Sequence, residues 1–380
     1  MHRTGRDTTG SPISIRVEAG VIAGREVGAD EDDALLAPAL VDIQLNGYAG
    51  VGVKSDDPDA EDLLRMARAV WATGVGSFLP TVTTDSHERI AGGIRRVVSA
   101  CAQDPLFALS VPGIHVEGPY ISRDDGPRGA HPIQHVRAPD WDEFARWQDA
   151  ADGAIRILTL SPEWDGSASF IERVADTGVV VALGHTQATA EQIDDAVRAG
   201  ATLSTHLGNG AHSVLPRHPN YIWHQLAEDR LWASFIADGH HLPAATLKVM
   251  LRAKTLDRAV LTSDAVMFAG MPAGTYGDGR DAAVDLLESG RVQLAGTPYL
   301  AGAGLPLVRG VENTVRFADV PLAAAWRLAA HNPARLLGLD DRGALAPGSR
   351  GDFVRCAWDA EACRLDVRET VVAGEVAYAA

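Results

Sequence analysis

Four residues that could hold a metal ion or transfer a proton stand at the ends of short apolar runs. The runs are VPGIHVEG, VVVALGHT, ATLSTHL and RAVLTSDA, which end in or next to Glu117, His185, His206 and Asp264. A parallel strand that is buried on both faces has a continuous apolar sequence. In an α/β barrel the catalytic groups lie at the carboxyl ends of such strands. Two imidazoles and two carboxylates there predict a divalent metal site with an acid/base beside it.

The chemistry of the four side chains indicates a role for each residue. Two imidazole nitrogens and one carboxylate oxygen, from His185, His206 and Glu117, form the usual open catalytic zinc shell, which leaves a position for water. Asp264 could accept a proton from that water and pass it to a leaving group. Each residue alone has a structural alternative: a satisfied core His, a Glu paired with a buried Arg, or an Asp that caps a turn. Three such residues in register are much less expected by chance.

Two further positions bear on the chemistry. His131, in the loop segment RGAH, is a candidate electrophile that polarises a substrate carbonyl from the side opposite the metal; a surface His is the alternative. The first strand-like run, DIQLNG, presents Gln44 and Asn46. Because amides are poor ligands for zinc, we expect one metal rather than two. The alternative is that both amides only form hydrogen bonds in the barrel mouth.

The elements that must position these residues follow a repeated rhythm of strand-like and helix-like stretches. PDAEDLLRMARAVWATG closes on Gly74, and AEQIDDAVRAG lies between Thr189 and Gly200, which are typical helix caps and stops. Alternating strands and helices imply right-handed crossovers and a parallel sheet. Eight runs predict an α/β fold with a (β/α)8 TIM-like barrel over residues 38–342. The runs span 38–46, 77–82, 111–118, 155–163, 179–186, 201–207, 231–239 and 258–266.

Both ends of the chain have a different texture. The stretch 12–37, with an acidic turn at 30–33, and the stretch from Gly343 onwards alternate apolar and polar residues, which is typical of half-exposed antiparallel strands. We expect residues 1–37 and 343–380 to pair as one small β-sandwich domain; two unrelated edge hairpins are the alternative. Two long barrel loops, 120–139 and 268–306, are expected to act as functional lids, and the second is expected to hold a hairpin at 281–296.

Composition narrows the class of protein. The 380 residues are 46% hydrophobic and 22% charged, an ordinary globular balance, and the formal net charge is −16. An acidic surface argues against nucleic acid and anionic membrane as partners. Three cysteines without a CxxC suggest neither a disulfide framework nor a thiolate zinc site. The N-terminus has no apolar signal region and no stretch approaches a membrane span, so a cytoplasmic protein is expected.

Several motifs, in this order, resemble those of the amidohydrolase superfamily, and within it the N-acetylglucosamine-6-phosphate deacetylases. They are DIQLNG, HVEGPY with a following GAH, GHTQAT, THLGN, IADGHH and TSDA. The resemblance runs from PALVDIQLNGYAGV to the LAPGSRGDFV tail. It implies hydrolysis of the acetamide of an N-acetyl amino sugar 6-phosphate, which gives the free amine and acetate.

The resemblance also implies roles for particular residues. Glu117, His185 and His206 would bind one divalent metal (zinc, or else iron, cobalt or manganese), Asp264 would be the general base and then acid, and His131 would steady the oxyanion. Members are commonly homodimers, with the Arg at the Arg217 position reaching into the partner's site. The Gln/Asn form of the first motif also occurs in single-metal members. Sugar and phosphate contacts would fall on Ala130, Asn209, Gly210, Arg217, His241, Leu294, Ala295 and Gly296.

The chain departs from the family pattern on the sugar and phosphate side. GNGAHSVLPRHPNYIW replaces the usual Asn-Ala-Met segment and adds His212 and His218, IADGHH doubles a His, and LAGTPYLAGAGLPL is expanded. The reaction type is therefore better defined than the substrate. N-Acetylglucosamine 6-phosphate is the leading expectation, and another N-acetyl hexosamine, such as the galactosamine isomer, or a cyclic amide is the alternative. A barrel that binds sugar phosphate as a regulator, without turnover, is the non-enzymatic alternative.

Overall fold

The computed structural model describes residues 1–28, 32–54, 60–277 and 283–380. Three predicted features lie partly outside these residues: the acidic turn at 30–33, the start of the first barrel helix at 58, and the start of the hairpin at 281. No helix in the described ranges combines the length and the apolar character needed to cross a membrane.

The strands of the described residues are, in chain order, β1 (His2–Arg6), β2 (Pro12–Glu18), β3 (Val21–Val27), β4 (Leu35–Pro38), β5 (Leu40–Leu45), β6 (Gly47–Tyr48), β7 (Val51–Gly52), β8 (Val75–Thr83), β9 (Ile114–Glu117), β10 (Ile155–Leu160), β11 (Val180–Leu183), β12 (Ala201–Ser204), β13 (Trp232–Ile236), β14 (Ala259–Thr262), β15 (Gly274–Tyr276), β16 (Val284–Leu286), β17 (Arg291–Leu294), β18 (Leu300–Ala303), β19 (Phe353–Asp359), β20 (Arg364–Val372) and β21 (Glu375–Ala379).

The helices are α1 (Glu61–Trp71), α2 (His87–Gln103), α3 (Pro105–Ser110), α4 (Trp141–Ala150), α5 (Ser167–Ala175), α6 (Ala190–Arg198), α7 (Tyr221–Ala227), α8 (Ala244–Lys254), α9 (Leu307–Ala318), α10 (Leu322–Ala329) and α11 (His331–Leu336), with a short 3-10 turn at Ile133–His135.

Eight strands form a parallel sheet in the order β14-β13-β12-β11-β10-β9-β8-β5. Each of the eight predicted apolar runs coincides with one of these strands; seven contain the whole strand, and the run 77–82 lies within β8. Helices connect most of the strands. The (β/α)8 architecture predicted from the sequence is therefore confirmed. Within the sheet, one apolar side chain from each of seven strands belongs to a single buried cluster, as expected for a layer of a filled barrel. These residues are Ile43, Leu79, Ile157, Ala182, Leu203, Trp232 and Val260.

Local sequence signals explain where the barrel helices begin and end. The Thr189 side chain accepts a hydrogen bond from the backbone of Gln192, and the Gln192 side chain bonds back to Thr189, which is the reciprocal capping box. Gly74 and Gly200, which follow α1 and α6, have φ angles of 87° and 109°. These left-handed conformations favour glycine and stop each helix where the sequence predicted.

The two ends of the chain join in one antiparallel-rich sheet of seven strands, in the order β21-β20-β19-β4-β1-β2-β3. The link between the termini is direct, because β4 pairs with β19 and aligns Pro38 with Phe353. Some of its buried side chains form a separate apolar cluster that includes Ile15, Ile22 and Phe353, and others belong to the main core. The pairing of the terminal stretches is confirmed, whereas the boundaries at residues 37 and 343 stay a prediction.

A small antiparallel sheet of β15 to β18 occupies the second long loop. It contains the predicted hairpin, in which β16 pairs with β17 and aligns Asp285 with Gln293. Its last strand is joined to the barrel, because the Ala303 backbone donates a hydrogen bond to the Asp264 carbonyl and accepts one from Val266. This sheet therefore supports the strand end that carries Asp264.

The barrel closes between its first and last strands through a few hydrogen bonds. The Asp264 amide donates to the Gln44 carbonyl at 3.0 Å. Lower on the same seam, the buried Asp42 carboxylate accepts hydrogen bonds from the Thr262 hydroxyl at 2.9 Å and the Ser263 amide at 3.1 Å. Burial raises the pKa of Asp42. The Asp42 side chain thus supplies acceptors where the two strands do not pair directly.

We expect Asp42→Ala to lower the free energy of unfolding by roughly 1–3 kcal/mol, because it leaves buried donors of Thr262 and Ser263 without an acceptor. Asp42→Asn is the matched control, since its amide oxygen can still accept both bonds. Urea unfolding followed by fluorescence measures the difference. Equal unfolding midpoints for the wild type and Asp42→Ala would show that the seam does not depend on this carboxylate.

Candidate metal centre

Three side chains meet at the carboxyl end of the barrel. Glu117 ends β9, and His185 and His206 follow β11 and β12. One oxygen of Glu117, Oε1, lies 3.0 Å from His206 Nε2 and 3.3 Å from His185 Nε2. Candidate ligand atoms of the three residues all lie within 4.8 Å of one another. Among the residues that the structure describes, this is the one group of three or more such side chains that could hold a metal ion.

The hydrogen-bonding pattern of His185 fits a cation at this place. His185 Nδ1 lies 2.9 Å from the Pro127 carbonyl, which can only accept, so Nδ1 carries a proton. In a neutral ring, Nε2 then presents its lone pair towards the Glu117 carboxylate. Two acceptors face each other unless a cation lies between them or the ring is charged. Holding Nδ1 through a carbonyl is the usual way in which proteins orient a metal-binding His.

The amides of the first barrel strand hold the two carboxylates of the site. Gln44 Nε2 donates to Glu117 Oε1 at 2.8 Å, and Asn46 Nδ2 donates to Asp264 Oδ1 at 2.7 Å. These contacts follow the alternative in which the amides form hydrogen bonds in the barrel mouth. Both amides are therefore engaged with carboxylates; that the site holds one metal rather than two stays a prediction.

The pKa values of the two carboxylates are shifted in opposite directions. Burial raises the pKa of Asp264 to about 6, and the nearby charge of Glu117 adds to the effect. Burial also acts to raise the pKa of Glu117, but the imidazoles of His185 and His206, within 3.3 Å of its Oε1, hold it well below the ordinary value. A carboxylate that stays ionised beside one whose pKa lies nearer neutrality is the arrangement expected of a ligand and an acid/base.

Three of the four residues have strained backbones. The φ angles of His185, His206 and Asp264 are 51°, 29° and 51°, in the left-handed region that residues other than glycine rarely adopt. Each lies two residues beyond the end of its strand. Backbone strain of this kind persists where the surroundings hold it and is found most often at functional sites.

His131 lies beside these ligands. Its Nε2 is 3.9 Å from Glu117 Oε2, and its ring centre is 4.3 Å from that of His185. Burial lowers the pKa of His131 to about 3, and the charge of His185 contributes. A bound cation would lower it further, so the ring is neutral in either case. The structure thus places His131 next to the centre, while its role as electrophile stays a prediction.

The loop that carries His131 is fastened to the barrel. Arg137 makes two hydrogen bonds of 2.9 Å to the carboxylate of Glu143 in α4. Arg128 Nη1 donates to the His131 carbonyl at 2.9 Å. These contacts hold residues 120–139 as one wall of the barrel mouth; whether the segment also moves as a lid stays a prediction.

The predicted sugar contacts after the sixth barrel strand adjoin the metal ligands. Asn209 Nδ2 donates to the His206 carbonyl at 3.3 Å. Gly210 packs so closely on His185 that a Cβ atom built on it would lie 2.6 Å from Nδ1. Both residues line a small cavity together with His185. After the seventh strand, His241 Nδ1 lies 2.8 Å from the Asp238 carboxylate.

The remaining predicted contacts lie farther out. Ala130 is exposed on the loop wall next to His131. Leu294, Ala295 and Gly296 end β17 and turn away from it, on the small sheet that is joined to Asp264 through Ala303. Their contact with a sugar stays a prediction.

Arg217 stands apart from the centre. It is exposed, and within the described part of the chain no hydrogen bond or ion pair is found for it. It belongs to the segment between His206 and α7, next to Val214, which is 85% exposed. That Arg217 acts in the site of a partner subunit stays a prediction.

Among the residues in contact with the predicted site that sequence reasoning missed is Thr84. Thr84, the residue after β8, places its hydroxyl 2.7 Å from His131 Nδ1. The signal was available, because Thr84 follows a buried strand at the same barrel end as Glu117. Its neutral side chain lacks the metal-binding or acid/base chemistry that drew attention to the other strand ends.

The fold and the centre together define a metal-dependent hydrolase barrel, and the family comparison agrees. The amidohydrolase family model matches residues 35–377, and the chain belongs to this family. Curated relatives include the N-acetylgalactosamine-6-phosphate deacetylase of Escherichia coli O157:H7 (36% identical, 90% of this chain and 89% of the relative). The human N-acetylglucosamine-6-phosphate deacetylase is 34% identical, over 91% of this chain and 84% of the relative.

Solved structures give the same result. N-acetylglucosamine-6-phosphate deacetylase from Thermotoga maritima superposes with a TM-score of 0.87 at 27% identity, over 100% of both chains. A mutant of the Mycobacterium smegmatis enzyme in complex with N-acetyl-D-glucosamine-6-phosphate superposes with a TM-score of 0.88 at 28% identity, over 99% of both chains.

We expect Gly210→Ala to weaken metal binding by about 10- to 100-fold, as the loss of a well-placed outer contact does at metal sites. The new Cβ would press on His185 Nδ1 and displace the ring from the Pro127 carbonyl. Metal content after dialysis against graded chelator measures the effect. Gly153→Ala is the control, because Gly153 also has a positive φ of 78° but nothing lies within 4 Å of its added Cβ. Equal metal retention in both variants would contradict the expectation.

Proposed function

We propose that this chain removes the acetyl group from N-acetylglucosamine 6-phosphate and gives glucosamine 6-phosphate and acetate. The observation that carries the proposal is the convergence of Glu117, His185 and His206 beside an Asp264 whose pKa is raised to about 6. Relatives that cover most of the chain supply the substrate class. The sites for one divalent metal are the three convergent side chains.

The chain's own residues account for the proton transfers. A divalent cation, when bound, makes water more acidic and polarises the acetamide carbonyl. Asp264 accepts a proton from the attacking water as the new C–O bond forms. The same carboxyl then gives that proton to the amine nitrogen as the C–N bond breaks. Asn46 orients Asp264 through the hydrogen bond to Oδ1.

His131 serves the developing negative charge. A neutral imidazole with a proton on Nε2 can donate a hydrogen bond to the carbonyl oxygen as it gains charge. The ring is held beside Glu117 and His185, so the donor needs little rearrangement. Its low pKa keeps the ring from becoming a competing acid.

Zinc is the metal that best matches two imidazoles and one carboxylate. Iron, cobalt and manganese accept similar donors, and availability often decides among them. One ion per subunit is proposed, because Gln44 and Asn46 are occupied with the two carboxylates.

N-acetylgalactosamine 6-phosphate is the second candidate substrate. The relative from Escherichia coli O157:H7 that acts on this isomer is 36% identical, slightly more than the 34% of the human relative with the glucosamine substrate. The proposed sugar and phosphate contacts are Ala130, Asn209, Gly210, Arg217, His241, Leu294, Ala295 and Gly296.

A homodimer in which Arg217 reaches the partner's site is part of the proposal. Arg217 is exposed and lacks a partner within the described chain, and the apolar side chains of Val214 and Trp223, close to it in sequence, are 85% and 53% exposed. An Arg that binds phosphate across an interface would account for both features.

The substrate assignment is tested with four N-acetyl sugars: the glucosamine and galactosamine compounds, each with and without a 6-phosphate. We expect acetate release with kcat/KM at least about tenfold higher for a phosphorylated sugar, because charge-assisted hydrogen bonds to phosphate are lost without it. Asp264→Asn should retain the metal and lose about 10²- to 10⁴-fold in kcat. Metal-loaded protein that binds a sugar phosphate and releases no acetate would favour a regulatory barrel instead.

The proposal that Arg217 acts in the partner's site leads to a sharper prediction. Arg217→Ala should raise KM for phosphorylated substrate and spare the unphosphorylated one. Mixing Arg217→Ala with Asp264→Asn under conditions of subunit exchange should restore a low KM, because the mixed dimer joins an intact Asp264 to an intact partner Arg217. An Arg that acted within its own subunit would give no restoration. Each variant mixed with itself is the control.

A further inference from the structure

Thr84 makes the one side-chain contact described for the far side of the His131 ring. Its hydroxyl oxygen lies 2.7 Å from His131 Nδ1 and 3.4 Å from the Glu117 carbonyl. Thr84 is completely buried. The proposed function gives His131 an oxyanion to stabilise with Nε2, and Thr84 meets the nitrogen on the opposite side of the ring. The contact therefore bears on which nitrogen holds the proton.

A threonine hydroxyl has one proton, and two acceptors compete for it here. If it goes to the Glu117 carbonyl, His131 Nδ1 must donate to Thr84, and a neutral ring then has a bare Nε2. If it goes to Nδ1, Nε2 keeps its proton. The distance of 2.7 Å is a normal hydrogen bond, whereas 3.4 Å is at the long limit.

The surroundings of Nε2 favour the second arrangement. Glu117 Oε2 lies 3.9 Å from Nε2, and a carboxylate stabilises an N–H that points towards it more than a lone pair. The oxyanion of the reaction, in the same place, would stabilise this N–H more strongly. A bare Nε2 would instead repel the charge that the reaction develops.

We propose that Thr84 is a positioning residue that sets the tautomer of His131: its hydroxyl donates to Nδ1, and Nε2 therefore presents a proton to the substrate. The proposal rests on the proposed function for the role of His131. Thr84 does not touch the reacting atoms and acts through the imidazole alone.

The backbone around Thr84 is built to keep the hydroxyl in place. Gly118, next to the metal ligand Glu117, has a φ of 74°, and a Cβ atom on it would lie 2.2 Å from Thr84 Oγ1. A glycine at this point leaves room for the hydroxyl. On the other side, Lys54 Nζ donates to the Thr84 carbonyl at 3.2 Å and pairs with Asp85 at 2.8 Å.

Kinetics of Thr84→Val, Thr84→Ser and the neighbouring control Thr83→Val test the proposal. Thr84→Val removes only the hydroxyl, and we expect kcat to fall about 10- to 100-fold, less than the full loss of an oxyanion donor. KM and zinc content should change little, because the interaction acts in the transition state. Thr84→Ser should restore most of kcat, and Thr83→Val should behave as the wild type.

A double-mutant cycle separates positioning from general damage to the structure. In a His131→Ala background, Thr84→Val should have no further effect on kcat, because the group through which it acts is gone. The same fold-loss in both backgrounds would overturn the proposal, and so would a Thr84→Val variant with wild-type kcat.

The tautomer itself can be observed without turnover. Zinc-loaded protein labelled with ¹⁵N-histidine should show His131, identified by its absence in His131→Ala, with the proton on Nε2; Thr84→Val should shift it towards Nδ1. A proton on Nδ1 in the wild type would overturn the proposal. If the wild type released no acetate, the proposed function would fail, while this measurement would still decide the tautomer.

Discussion

The buried carboxylate of Glu117 is the constraint on which the rest of the site depends. A charge taken out of water is costly unless it is paired and hydrogen-bonded. Here one oxygen faces His185, His206 and the amide of Gln44 at distances of 3.3, 3.0 and 2.8 Å. Three other strands must bring their ends to this one atom. The closed barrel is the architecture that places the ends of distant strands around a common axis.

The buried polar side chains below the metal centre are likewise paired by hydrogen bonds. Burial lowers the pKa of His115 to about 4, so the ring is neutral. Its Nδ1 donates to the Ile43 carbonyl at 3.0 Å, and its Nε2 accepts from the Thr159 hydroxyl at 2.8 Å. Thr159 in turn accepts from Thr205 at 2.8 Å. Each proton in this network has one acceptor, so the direction of every hydrogen bond is fixed. The network links four strand segments beneath the metal ligands.

The fold and the metal centre could be predicted because both produce recognisable patterns of apolar, metal-binding and acid/base residues in the sequence. Each barrel strand is a continuous apolar run, and Glu117, His185, His206 and Asp264 break such runs with groups that a core does not tolerate unpaired. The contact of Thr84 with His131 produces no comparable pattern in the sequence. It depends on how the residue after one strand meets a loop almost fifty positions later, and a hydroxyl is tolerated almost anywhere. The contacts of Asp42 across the barrel seam could not be predicted either, because its partners Thr262 and Ser263 lie 220 and 221 positions away in the chain.

Backbone strain shows a further limit of sequence patterns. Glycine signals a left-handed turn because only its missing side chain makes the conformation free of cost. His185, His206 and Asp264 adopt it without being glycine, at φ angles of 51°, 29° and 51°. Their own contacts must hold the strain: a carbonyl for His185, the Ser234 hydroxyl on the His206 amide, and the Gln44 carbonyl on the Asp264 amide. Those partners come from other strands and loops, so the turn that aims each side chain is a property of the assembled barrel.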